Sequence, residues 1–145
     1  RTADGSPSQA YNVQKELVNR LWNKIEANAE KLTRVEDGYL EDADVLVVGF
    51  GSVARSVKAA VRQARAEGLK VGFSRLIGIW PFPDQYIARI GKGVKKVIVA
   101  EMNMGRVYRE VQRCLRADAE IVLFSKPGVD MHTPAEIVDE IRKVI

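Results

Sequence analysis

Cysteine and histidine each occur once in the 145 residues, as Cys114 and His132, and that scarcity excludes several kinds of chemistry at the outset. One thiol closes no disulfide within the chain and cannot supply the four thiolates of a zinc or iron–sulfur site, so any cluster has to belong to a partner. One imidazole leaves no second for a histidine-rich metal site, and a hydrolytic triad would rest on what reads as an exposed loop residue, His132. No apolar run reaches the length of a membrane-spanning helix, and no charged start leads into an apolar signal-peptide core. The sequence therefore predicts a soluble, cytoplasmic chain with no membrane partner. Aromatic residues make up only 7% and form no series interleaved with basic residues, so nucleic acid is not an expected partner despite a net charge of +4.

What is present suits one ordinary domain. Hydrophobic residues make up 46% and charged residues 29%, with the two signs interspersed, which is enough apolar material for a single core and unlike the composition of disorder. The first residue is Arg1, followed by a polar stretch from Thr2 to Ser8 that reads as a linker. The expectation is a piece of a longer polypeptide: residues 1–32 as a linker and helix leading out of a missing N-terminal domain, residues 33–145 as the domain itself.

The helical spacing of Val13, Leu17, Leu21, Ile25 and Ala29, widened by Val18 and Trp22, predicts one amphipathic helix from Gln9 to Lys31. Thr33–Glu36 reads as a short strand before an Asp37-Gly38 turn. Val45–Phe50 is a near-continuous apolar run, the mark of a strand buried on both faces. Gly51-Ser52 opens a helix packed through Val53, Val57, Ala60, Val61 and Ala64 and stopped by Gly68. Further strands are expected at Leu69–Leu76, Val94–Ala100 and Ala119–Phe124. Helices are expected at Asp84–Ile90, after Arg106 to about Arg116, and from Pro134, where Thr133 and Glu136 have capping-box spacing. This alternation predicts an α/β fold: a three-layer α/β/α sandwich on a mostly parallel sheet.

Ligands of such sheets favour the crevice beyond the strand carboxyl ends where strand order reverses, which singles out Gly49–Arg55 and Glu101–Arg106. Gly49-Phe50-Gly51-Ser52-Val53-Ala54 satisfies the permissive dinucleotide fingerprint between a strand and a helix. The following strand, however, ends in Ser74 and Arg75, not in the acid that would bind ribose hydroxyls. An NADP-binding Rossmann-type domain is thus one alternative, with Arg75 taking the phosphate. Glu41, Asp42 and Asp44 precede a strand at its amino end and read as a solvated turn; Cys114, beside Leu115 on a helix whose apolar face holds Val107 and Val111, reads as a buried structural thiol. Trp80 and Phe82 flank a proline in a loop, so they either cover the core edge or meet a partner.

Taken in order, Gly51-Ser52-Val53-Ala54-Arg55, Arg75-Leu76 with Trp80-Pro81-Phe82-Pro83, and Glu101-Met102-Asn103-Met104-Gly105 resemble the large (alpha) subunit of 2-oxoacid:ferredoxin oxidoreductases, the 2-oxoglutarate branch in particular. The likeness runs from about Gly5 to Ile145 and is to that subunit's transketolase C-terminal-like domain; Arg106 departs from the glutamine often found there. The resemblance implies a five-stranded sheet whose short first strand is antiparallel. It also implies a multisubunit enzyme that oxidatively decarboxylates a 2-oxoacid with coenzyme A and reduces ferredoxin. Thiamine diphosphate with Mg and the iron–sulfur cluster would be held elsewhere in the complex, and this chain would bind no cofactor and be inactive alone. The implied partners are the preceding domain of the same subunit, the small (beta) subunit and a ferredoxin-like subunit, with a homodimer as the default for the chain by itself. The residues expected at interfaces or anion-accepting loops are Gly51, Ser52, Arg55, Trp80, Phe82, Glu101, Asn103, Gly105 and Arg106. Another thiamine enzyme's transketolase-like domain is the remaining alternative, against which the Trp80-Pro81-Phe82-Pro83 loop argues.

Overall fold

The computed structural model describes residue 2 and residues 4–115 and 119–145. Its elements are α1 (Tyr11–Glu26), α2 (Ala29–Leu32), β1 (Val35–Gly38), β2 (Val45–Phe50), α3 (Val53–Ala66), β3 (Val71–Leu76), α4 (Asp84–Gly91), β4 (Lys96–Glu101), α5 (Arg106–Leu115), β5 (Glu120–Ser125) and α6 (Pro134–Val144). The strands form one five-stranded sheet in the order β1-β3-β2-β4-β5, with β1 antiparallel and every other pairing parallel.

The apolar run of β2 divides by parity, because successive side chains of a strand point to opposite faces. Val45 and Val47 join α3 and α6 in one core, together with Val71, Phe73, Ile98 and Ala100. Leu46 and Val48 join α4 and α5 in the other, together with Leu76, Val97 and Val99. Both layers of the sandwich are therefore written into one hexapeptide. Gly68, at φ 86°, ends the turn after α3 as expected. At α6 the capping box is complete: the Glu136 amide donates to Thr133 Oγ1 at 3.3 Å, and the Thr133 amide donates to the Glu136 carboxylate at 2.8 Å.

Three local expectations are corrected. The N-terminal helix is broken at Asn28, whose side-chain amide donates to the Lys24 carbonyl at 2.8 Å and competes with the helical ladder, so α1 and α2 are separate. The chain does not turn at Asp37-Gly38, which lies within β1; it turns at Tyr39, at φ 59°. Gly38 is needed there for space, since a Cβ would come within 2.4 Å of the Phe73 ring on the neighbouring strand. His132 is not an exposed loop residue: it is 1% exposed and rests edge-on against the Phe124 ring, with centroids 4.6 Å apart. It occupies the position before an N-cap, which capping geometry turns inward over the helix's first turn. The expected end of α5 at Arg116 falls outside the described residues.

Candidate functional site

Strand order reverses at β2, which pairs with β3 on one side and β4 on the other. The β2–α3 and β4–α5 loops therefore leave adjacent strands at the point where such sheets bind ligands. Their tips meet: Ser52 Oγ lies 3.9 Å from Met102 Sδ. Gly51 holds φ at 59°, a backbone that glycine tolerates without strain, and delivers the chain into α3. Arg55 and Arg106 are both exposed at the starts of α3 and α5.

The glutamate loop is closed on itself. Glu101 is 0% exposed; its Oε2 accepts from the Val107 amide and its Oε1 from the Tyr108 amide, each at 3.0 Å. Asn103 Oδ1 accepts from the Arg106 amide at 2.8 Å, while Gly105 takes φ 89° to turn the chain into α5. Three of the four amides that a helix start leaves without intrahelical acceptors are thus satisfied by two side chains. The carboxylate also lies at the positive end of the α5 dipole, which offsets part of the cost of burying it. The loop is anchored to β5 as well, since Ser125 Oγ donates to the Asn103 carbonyl at 2.7 Å and the Lys126 amide to the Glu101 carbonyl at 3.0 Å.

The dinucleotide fingerprint is filled in a comparable way. A Cβ on Gly49 would meet Val57 Cγ2 at 3.0 Å and Ala54 Cα at 3.5 Å, so this glycine lets α3 lie close against β2. Ser74 is fully buried and shares a 2.6 Å hydrogen bond with the Tyr86 hydroxyl, which in turn donates to Asp37. Burial, with the Asp37 carboxylate second, raises the Tyr86 phenol far above its ordinary pKa. Arg75 pairs with Glu36 at 3.2 Å, and Lys58 shares the same carboxylate, which these two cations hold below the usual carboxylate range. The two residues offered for a ribose or its phosphate are thereby engaged in fastening β1 to β3.

The β3–α4 loop behaves differently. The Trp80–Pro81 peptide is cis, and the two aromatics divide the roles that sequence left open. Phe82 packs against the core beneath α4 and α5, whereas Trp80 is 71% exposed. Between this loop, α1, α2, α4 and α5 runs an open groove of about 870 Å³, lined by Trp22, Ile79, Trp80, Phe82 and Tyr86 with Glu26, Glu30, Asp84, Arg89, Glu110 and Arg113. Cys114 is half-buried beside it; its thiol donates to Asp84 at 3.7 Å, and burial followed by the Asp84 charge pushes its pKa up to about 11. At the opposite edge of the sheet Asp42 pairs with Arg65 at 2.7 Å and Asp44 with Lys95 at 2.9 Å, so two of the three acids of that turn are held in ion pairs. Among the described residues no three metal-ligating side chains converge. No helix among them is long and apolar enough to cross a membrane.

Sequence reasoning missed two features of this end of the molecule. One is the burial of Glu101, for which the only signal was its position directly after an apolar strand. The other is the groove, because residues 22 and 80 reach it from distant parts of the chain.

This geometry agrees with comparisons to known proteins. The model of the pyruvate:ferredoxin oxidoreductase core domain II family matches residues 43–137. The 2-oxoglutarate synthase subunit KorA of Methanothermobacter marburgensis is 39% identical over 125 residues, 86% of this chain and 33% of that protein. The chain spans about a third of the length of the curated relatives it matches. The 2-oxoglutarate:ferredoxin oxidoreductase from Magnetococcus marinus, solved with 2-oxoglutarate, coenzyme A and succinyl-CoA bound, superposes with a TM-score of 0.77 at 27% identity, over 96% of this chain and 24% of its own. A split-gene transketolase in an inactive β4 tetramer shares the fold, with a TM-score of 0.60 at 19% identity over 74% of this chain and 40% of its own. The family match over residues 43–137, on a five-stranded sheet with one antiparallel edge flanked by helices in two layers, places the chain in the pyruvate:ferredoxin oxidoreductase core domain II family.

Proposed function

We propose that the chain is the transketolase-like domain (residues 33–145), preceded by a connecting helix (residues 1–32), of the large subunit of a thiamine diphosphate-dependent 2-oxoacid:ferredoxin oxidoreductase, and that it serves assembly, not chemistry. The observation that carries this reading is the engagement of Glu101. The one acid of the family motifs buried at the switch point accepts from two backbone amides, one on each carboxylate oxygen, so it is taken up in building the start of α5. 2-Oxoglutarate is the favoured substrate of the complete enzyme, by likeness to the subunit and the complex named above.

Thiamine diphosphate with Mg would supply the carbanion chemistry of decarboxylation, and an iron–sulfur cluster the path for electrons. The residues here do not fit either group. Cys114 is the single thiol, with its pKa pushed up, and the acids of the crevice and groove are held by amides and guanidiniums or stand apart. The cofactors therefore belong with the preceding domain and the small subunit, and a ferredoxin-like subunit takes the electrons. The loops around Gly51, Ser52, Arg55 and Gly105, Arg106 face those neighbours, as does Trp80.

The test is co-purification of this chain with the rest of the large subunit and the small subunit, alongside calorimetric titration of the chain alone with thiamine diphosphate and NADP. Co-purification with no heat of binding is expected. Micromolar NADP binding would replace this reading with a nucleotide-binding one.

A further inference from the structure

Helix α1 has sixteen residues and buries none of them. Val18, Leu21 and Trp22 are all more than half exposed, Trp22 at 56%, and Trp80 stands 71% exposed across the groove. An isolated helix of this length is marginal in water, and α1 turns only Val13, Leu17 and Ile25 partly inward, so it needs further cover from outside this domain to be held in place. The charge of the groove is also one-sided. Arg113 is shared between Asp84 at 2.5 Å and Glu110 at 2.9 Å, and Arg89 lies over the Tyr86 ring at 5.6 Å. Glu26 and Glu30 then remain without a cationic partner among the described residues, on a chain whose net charge is +4.

We infer that the groove, with the outward face of α1, seats a basic amphipathic segment from another part of the same subunit: aliphatic or aromatic side chains between Trp22 and Trp80, and lysine or arginine against Glu26 and Glu30. The length of the relatives points to that occupant. The Magnetococcus chain matches 96% of this one, α1 included, yet the match is only 24% of its own length, so the helix lies there within a much larger single polypeptide. The inference rests on the large-subunit reading and specifies which surface meets the rest of that subunit.

Hydrogen exchange on the complete large subunit, purified with and without the small subunit, reads the groove directly. The amides of Ile79, Trp80 and Phe82 donate no hydrogen bond among the described residues, so in open solvent they exchange at the rate of unstructured chain. With the segment seated, their exchange in the large subunit alone slows by about tenfold or more, and the double variant Glu26→Lys/Glu30→Lys restores fast exchange without unfolding the domain. Fast exchange in both preparations overturns the inference while leaving the assembly role intact if the complex still forms. Slowing that arises only when the small subunit is added assigns the groove to that subunit, and slowing indifferent to the charge reversal removes the basic occupant. A chain that fails to co-purify at all overturns both readings.

Discussion

The β4–α5 and β3–α4 loops leave the same edge of the sheet, yet one is closed and the other open. In the first, Glu101 and Asn103 satisfy three amides of α5 and Gly105 makes the turn, so its polar groups face inward. In the second, Phe82 covers the core and Trp80 is exposed, beside a helix none of whose residues is fully buried. Two of the polar, chemically suggestive residues of the first loop are thus engaged in starting a helix. The β3–α4 loop instead sets an exposed aromatic, Trp80, beside the groove, although Met104 of the first loop is exposed as well.

The sharpest way to break this comparison is Glu101→Ala. It leaves the Val107 and Tyr108 amides buried without acceptors and opens a cavity, and about 3 kcal/mol of stability is expected to be lost, measured by urea unfolding. Glu101→Gln should recover part of that, because its carbonyl can still accept. Gly49→Ala comes next: its Cβ would press on Val57 at 3.0 Å, and about 1 kcal/mol of destabilisation is expected with no effect on any nucleotide titration.

Acid should act through His132. Burial lowers its pKa, and its Nε2 donates to the Phe124 carbonyl at 2.9 Å while Nδ1 has no partner among the described residues. A group whose folded pKa is depressed contributes stability that is complete above its unfolded value, near 6.5, and is lost as pH falls through the folded one. Thermal melts should therefore drop below about pH 6.5, and His132→Gln, which keeps a donor for Phe124 but does not titrate, should flatten that dependence. Glu136 responds lower still. The Thr133 amide, then Lys126, hold its pKa down to about 2, so its contribution is lost only between about 4.5 and 2. The smallest effect belongs to Trp80→Ala, which should change the stability of the chain alone by less than about 0.5 kcal/mol.

The sandwich was legible because β2 carries apolar residues at both parities, and because glycine and capping residues punctuate the helices where the structure ends them. The break in the first helix was not, since apolar spacing continues through Asn28 and only its side-chain bond to Lys24 interrupts the ladder. Gly38 reads as a turn from its dipeptide, although its purpose is room for Phe73 from another strand. The candidate residues Gly51, Ser52, Glu101, Asn103 and Gly105 fall on the two loops that meet across the switch point. What each one does depends on contacts between distant segments, such as residue 101 with residue 107 or residue 22 with residue 80, and no local pattern carries that.

On the proposed reading this domain supports a reaction carried out elsewhere. The direct test is 2-oxoglutarate-dependent ferredoxin reduction by the reconstituted complex with this chain supplied or withheld, and by the chain alone. Turnover only when the chain joins the other domains, with none from the chain itself, is the predicted result. Full turnover without it, or thiamine diphosphate bound and 2-oxoglutarate decarboxylated by the chain alone, would rule out a supporting role.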